Sequence, residues 1–182
     1  MQGKRNSLTP LEQQVATRAI TKRLLHQPEF KHAQSIALYM SFNMEVSTQR
    51  ILQHALSLHK SCYLPTLTPT RLLRFIKVDS ESCLERNRFG ILEPVKTNAV
   101  MKNASQFDLV LVPLVAFDAA LHRLGMGGGY YDRTFALSGC LQRPCLVGLG
   151  YDFQRVNQLP HSNLDVSLDL VVTEKRLYKK PI

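Results

Sequence analysis

Apolar positions along this chain recur with two periods, one of helices and one of short buried strands, and the two alternate from end to end. Thr9-Pro10-Leu11-Glu12 forms a capping box with proline at the first helical position. Leu11, Val15, Ala19 and Ile20 then repeat at helical spacing, which predicts a helix from Thr9 to about His26, just before Pro28. Its basic residues Arg18, Lys22 and Arg23 fall on the outer side, as a solvated face or as the edge of an anion site. Ser35 to Phe42 (SIALYMSF) has the length and residues of a buried strand. A loop follows over Asn43-Met44-Glu45-Val46. Ser47 then caps a helix to about His59 that offers Ile51, Leu52, Ala55, Leu56 and Leu58 to the core.

Cys62 to Leu67 and Leu72 to Val78 read as strands, with turns marked by Pro65, Pro69 and Thr70. Arg86 to Pro94 reads as a loop, and Phe89 within it is either a core plug or a stacking contact. Asp108 to Phe117 (DLVLVPLVAF) is nearly continuous apolar sequence, the mark of a strand covered on both faces, with an end or bulge expected at Pro113. A helix is expected from Tyr130 to about Leu137, a strand over Cys145 to Tyr151, and a last strand over Leu168 to Thr173. The alternation predicts an α/β fold: a three-layer, Rossmann-like open sheet, mostly parallel and flanked by helices, in a single domain over 1–182.

Composition leaves that picture intact. With 182 residues, 45% hydrophobic and 20% charged, the chain can bury a core without staples. Cys62, Cys83, Cys140 and Cys145 show no Cys-x-x-Cys spacing or paired histidines, so reduced thiols are expected over a disulfide or zinc. Met1 to Ser7 has no apolar h-region, and Leu109 to Phe117 is far short of the ~20 residues that span a membrane, so a cytoplasmic protein without a membrane partner is expected. Charge does change the picture. The formal net charge of +9 implies a polyanionic partner such as nucleic acid, ATP or a carboxylated small molecule. The basic residues are spread along the chain, which counts against a dedicated nucleic-acid arm.

The densest chemistry lies in Arg123 to Asp132, RLGMGGGYYD. Gly125, Gly127, Gly128 and Gly129 make neither a Walker loop nor a dinucleotide turn, and on spacing alone they are either a tight structural turn or a phosphate cradle. Arg123 before them and Asp132 with Arg133 after them favour the cradle. A guanidinium forks onto phosphate oxygens, glycine amides and the start of a helix attract an anion, and a carboxylate can hold Mg²⁺. Asp165, in His161-Ser162-Asn163-Leu164-Asp165, is either a turn former or a second carboxylate beside Asp132. Glu45 falls where a strand's carboxyl end meets a helix, the ligand edge of an open α/β sheet.

The stretch Val112 to Arg133, VPLVAFDAALHRLGMGGGYYDR, resembles the signature of the 5-formyltetrahydrofolate cyclo-ligase family, also called 5,10-methenyltetrahydrofolate synthetases. YMSFNMEVST from Tyr39, YLPT from Tyr63, NRFGILEP from Asn87 and LDLVVTE from Leu168 extend the likeness over nearly the whole chain. The resemblance implies ATP- and Mg²⁺-dependent ring closure of a reduced folate. The formyl oxygen takes the γ-phosphoryl group, N10 attacks the activated carbon, and phosphate leaves. It also implies ATP contacts from Lys4 and from Arg123, Leu124, Gly125, Met126, Gly127, Gly128, Gly129, Tyr130 and Tyr131. Folate contacts are implied from Met40, Glu45, Phe89 and from Met126 through Tyr130, and metal ligation from Asp132 and Asp165. Arg123, Tyr131 and Asp132 carry the implied catalytic roles. Reduced folate and ATP are the expected partners, without nucleic acid, and a monomer is expected over an oligomer.

Several family members carry basic residues where this chain has Met126 and Gly128, and a further Lys-x-x-x-Arg helix at the N-terminus, for which Lys4 is the stand-in. The charge of the phosphates then falls to Arg123, the metal, backbone amides, and Arg133 or Lys175. Two other classes remain beside this reading: a non-catalytic RNA binder, and a sugar-phosphate or CoA enzyme on a similar sheet.

Overall fold

The computed structural model describes residues 2–95, 100–136 and 143–180; Cys140 and Leu137, part of the expectations above, lie outside them. Its elements in chain order are α1 (Gln2–Asn6), α2 (Pro10–Leu25), α3 (Pro28–His32), β1 (Ser35–Ala37), α4 (Gln49–Ser57), β2 (Ser61–Leu67), β3 (Leu73–Val78), β4 (Leu84–Arg86), β5 (Leu92–Pro94), β6 (Met101–Lys102), β7 (Leu109–Pro113), β8 (Ala116–Phe117), β9 (Arg123–Leu124), α5 (Tyr130–Ala136), β10 (Cys145–Leu149), β11 (Leu170–Val172) and β12 (Leu177–Lys179).

The long apolar run becomes β7, inside an eight-stranded sheet of order β12-β11-β10-β7-β1-β2-β3-β6. The strands from β11 to β2 are parallel, and antiparallel pairings add β12 at one edge and β3 with β6 at the other. Strand alternation divides β7 between two cores. Leu109 and Leu111 join Ile20, Leu24, Ile51 and Ala55 beneath α2 and α4. Val110 and Val112 join Phe75, Phe107, Phe117, Leu121 and Phe135 on the other face, beneath α5 and the β8–β9 hairpin. The expected mostly parallel sheet with helices is thus present.

The capping box forms as read: Glu12 N–H donates to Thr9 Oγ1 at 3.2 Å, and Thr9 N–H to Glu12 Oε2 at 2.8 Å. The buried face of α2 matches the expected one only at Ile20. Leu11 and Val15 are 69% and 58% exposed, while Ala16, Ile20 and Leu24 are buried. Two stripes of four-residue spacing compete on this helix, and the one with Ile20 and Leu24 puts the larger side chains against the sheet. Arg23 is not simply solvated, since it donates to the carbonyls of Thr173, Glu174 and Lys175.

Other boundaries shift for local reasons. β1 stops at Ala37 because the chain leaves the ladder toward the turn at Asn43 and Met44, although Leu38 and Tyr39 stay buried. Helix α4 starts at Gln49, after Thr48, whose hydroxyl donates to the Tyr39 carbonyl instead of capping the helix. Leu58 lies past the last turn of α4 and is exposed. The loop expected over Arg86 to Pro94 contains a hairpin, β4 with β5, because Asn87 accepts the N–H groups of Phe89 and Ile91 on its side chain and closes the turn. Pro113 ends β7 as expected. The last strand is β12 rather than β11.

Candidate active site

Parallel strands send their carboxyl ends to one edge of the sheet. There the segments after β1 and β7, the end of β2 and the start of α5 enclose a cavity of about 360 Å³. Its apolar wall includes Tyr39, Met40, Pro65, Leu67, Leu73, Phe89, Ile91, Leu92, Pro113 and Leu114. Its polar groups are few: Glu45, Asn87, Glu93, Arg123, Asp132 and the backbone at Gly128 and Gly129. A small organic ligand with a few oriented donors and acceptors suits such a lining.

Glu45 reaches the cavity from a strained turn. Asn43 and Met44 both have positive φ, 47° and 61°, and Glu45 N–H donates to the Phe42 carbonyl at 3.1 Å. Glu45 Oε2 accepts the Phe42 N–H at 3.0 Å, which points the carboxylate back over its own turn. Burial pushes the Glu45 carboxyl above the ordinary range, opposed by the Phe42 N–H and by the charge of Arg5. A second, more polar hollow of about 370 Å³ lies on the other side of this turn, lined by Gln13, Gln14, Ser41, Asn43, Arg50 and also Glu45.

The glycine loop forms another wall. Gly129 has φ 62°, and a Cβ there would meet the Arg133 guanidinium at 2.8 Å, so the loop and Arg133 are packed together. Arg133 donates to the Gly128 carbonyl, while its buried Nε has no partner among the described residues. Arg123, on β9, is committed: its side chain is 5% exposed and donates to Asp132 Oδ1 at 2.8 Å and to the Val166 carbonyl. Asp132 Oδ1 also accepts the Val166 N–H at 3.1 Å, which draws the segment carrying Asp165 toward Asp132. Buried Asp118 fixes the same segment from behind, accepting the Leu159 N–H at 3.1 Å and bonding His122, whose ring stacks on His161 at 3.8 Å. Burial pushes the phenol of Tyr131 far above its ordinary value.

Of the residues singled out in the sequence, the cavity gathers Met40, Glu45, Phe89, Arg123, Met126, Gly128, Gly129, Tyr130, Tyr131 and Asp132. Lys4, Leu124, Gly125, Gly127 and Asp165 are not in its lining; Asp165 is exposed, with Oδ2 accepting the Ser162 N–H. Lys175 faces Asp152 at 3.9 Å and is not in the cavity lining. The sequence reading missed Tyr39, Asn87 and Glu93. Glu93 is buried and joins β5 to β2, accepting from Leu67 N–H and Asn87 Nδ2 at 3.1 and 2.7 Å. A carboxylate inside the apolar run Ile91 to Pro94 was the available signal for it.

Comparison with known proteins identifies the family. A model of the 5-formyltetrahydrofolate cyclo-ligase family matches residues 1–174. The chain is 38% identical over 172 residues to 5-formyltetrahydrofolate cyclo-ligase of Haemophilus influenzae, covering 92% of this chain and 91% of that one. It is 34% identical over 178 residues to the protein of the same name from Escherichia coli K12, covering 97% of each. Among solved structures, 5,10-methenyltetrahydrofolate synthetase of Aquifex aeolicus superposes with a TM-score of 0.82 at 33% identity, over 98% of this chain and 88% of that one. The cavity, its glycine wall and these matches together lead to one assignment: the chain belongs to the 5-formyltetrahydrofolate cyclo-ligase family.

Proposed function

We propose that this enzyme converts 5-formyltetrahydrofolate and ATP to 5,10-methenyltetrahydrofolate, ADP and phosphate within the 360 Å³ cavity. The observation that carries the reading is the lining itself: Glu45 and the apolar wall share one cavity with Gly128, Gly129 and Asp132. A folate and the end of a triphosphate would therefore meet there. Glu45 accepts N–H groups of the pterin, Met40 packs on the ring, and Phe89 at the hairpin tip covers it. Amides of the glycine loop receive phosphate oxygens, and Arg133 behind the loop supplies positive charge.

An amide oxygen is a poor leaving group, and its phosphorylation makes it a good one. The formyl oxygen displaces ADP from the γ-phosphorus, N10 then attacks the formyl carbon, and phosphate departs with the carbon–oxygen bond as N10 loses its proton. Phosphoryl transfer asks the protein chiefly for alignment and charge neutralisation, so no side-chain nucleophile is needed. Arg123 orients Asp132 and screens its charge.

The residues fit a Mg²⁺ ion that takes most of its ligands from phosphate and water. Among the described residues no group of three or more His, Cys, Asp and Glu could hold a metal ion. Asp132 Oδ2 and Asp165 Oδ1 have no partner there, and Val166 joins the two segments. Such sparse carboxylate ligation suits Mg²⁺ with a bound nucleotide. When bound, the ion would neutralise phosphate charge. Mixing the protein with 5-formyltetrahydrofolate and Mg·ATP is expected to generate the methenyl chromophore in the near ultraviolet; a folded protein that yields none would refute the reading.

A further inference from the structure

The charged groups in the lining of the main cavity are Glu45, Glu93, Arg123 and Asp132. Arg123 is spent on Asp132 and the Val166 carbonyl, and Glu93 on the Leu67 N–H and the Asn87 amide. A ligand there meets three carboxylates and, among the described lining residues, no uncommitted cation. 5-Formyltetrahydrofolate brings carboxylates of its own, on the glutamate at the end remote from the pterin. Like-charge repulsion holds that end out of the cavity and at its rim.

The rim is marked by the lining residues that stay open to solvent. Phe89, 49% exposed, belongs to the β4–β5 hairpin, and Met126, 53% exposed, to the glycine loop. The glycine loop is the side proposed for phosphate, which leaves the hairpin for the folate. The tip of this hairpin lies against the Glu45 turn: a Cβ on Gly90, at φ 78°, would stand 3.9 Å from the Phe42 ring, and Phe42 donates its N–H to Glu45. The tip is also firmly built. Asn87 accepts the N–H groups of Phe89 and Ile91 and donates to Glu93, and Arg86 donates to the Gly90 carbonyl at 2.7 Å.

Arg88 is the cation of this tip that the hairpin itself does not use. It is exposed, its guanidinium lies 4.8 Å from the centre of the Phe89 ring, and it enters none of the ion pairs among the described residues. Stacking on the ring limits the sweep of a long side chain and leaves the N–H groups at the guanidinium edge available to a carboxylate.

We propose that Arg88 binds the glutamate carboxylates of the folate where its tail leaves the cavity past Phe89, and so selects tailed folates over pterins without a charged tail. This rests on the reading that the cavity takes 5-formyltetrahydrofolate, and the experiment separates the two. Dissociation constants at low and at high salt are measured for 5-formyltetrahydrofolate and for 5-formyltetrahydropteroyl methylamide, in which an uncharged group replaces the glutamate. The proteins are the parent, Arg88→Gln, Arg88→Lys and, as a control for general charge, Arg71→Gln in the turn from β2 to β3. Arg88→Gln is expected to weaken the folate about fivefold at low salt and less at high salt, with the methylamide unchanged. Arg88→Lys keeps most of the parental affinity, and Arg71→Gln leaves both constants as they are. Equal weakening of both ligands by Arg88→Gln would mean that Arg88 only holds the Phe89 ring, and an unchanged folate constant, or the same loss with Arg71→Gln, would mean that the tail has no partner at Arg88; each of these overturns the proposal. If the folded parent binds neither ligand, the folate reading of the cavity fails and this inference with it.

Discussion

Glu45 is held in a state that favours ligand binding over its own stability. Burial raises its carboxyl above the unfolded value, only partly opposed by the Phe42 N–H and Arg5. A carboxyl with a raised folded pKa supports folding while protonated, and that support is lost as pH rises through the folded pKa. Glu45→Gln is therefore expected to raise the melting temperature of the ligand-free protein above that pH, with no gain below the ordinary carboxylate range. The same change removes charge-assisted hydrogen bonds to the pterin, worth about 1.5–3 kcal/mol, and should raise the folate KM about 10- to 100-fold. Melting curves and steady-state kinetics on the one variant check both signs; a melting temperature lowered at neutral pH would contradict the account. Arg123 shows what one residue's position hides. Its place before the glycines reads as a free phosphate fork, yet its donors go to Asp132 and the Val166 carbonyl, partners 9 and 43 positions away in the chain.

At the scale of elements, the glycine loop combines positions that look alike in the sequence. Gly125 has open space around its Cα, whereas Gly129 sits at φ 62° against the Arg133 guanidinium. Gly125→Ala is expected to be nearly neutral. Gly129→Ala should cost about 1–2 kcal/mol in backbone strain alone and displace Arg133, raising the ATP KM. Chemical denaturation and two-substrate kinetics on the pair check this, and equal effects at both positions would show that the loop is not packed as described. The cap of α2 was legible because it is local, Thr9 and Glu12 meeting within one turn, whereas the cap expected from Ser47 did not form, Thr48 preceding α4 with its hydroxyl turned to the Tyr39 carbonyl. The buried stripe of α2 was not legible, since Leu11-Val15-Ala19 and Ala16-Ile20-Leu24 repeat equally well and the sheet decides between them. The β4–β5 hairpin escaped notice because its strands are short and its turn depends on Asn87 accepting two N–H groups through its side chain.

For the whole molecule, the alternation of patterns led to the correct class of sheet, because a strand buried on both faces, such as Leu109–Pro113, must be covered from both sides. Strand order was not legible, nor was the meeting of Asp132 with the Asp165 segment. That contact runs through the backbone of Val166, and no residue pattern encodes it. No described helix is long and apolar enough to cross a membrane, and a formal net charge of +9 suits a site proposed for anionic substrates. The central claim is that the formyl oxygen of the folate takes the γ-phosphoryl group of ATP in the cavity shared by Glu45 and the glycine loop. The most direct test is turnover of 5-formyltetrahydrofolate labelled with ¹⁸O in the formyl group, followed by mass analysis of the products. The account predicts one labelled phosphate for each methenyl product and ADP formed. Label released into water with unlabelled phosphate, or methenyl product formed without ADP, would contradict it.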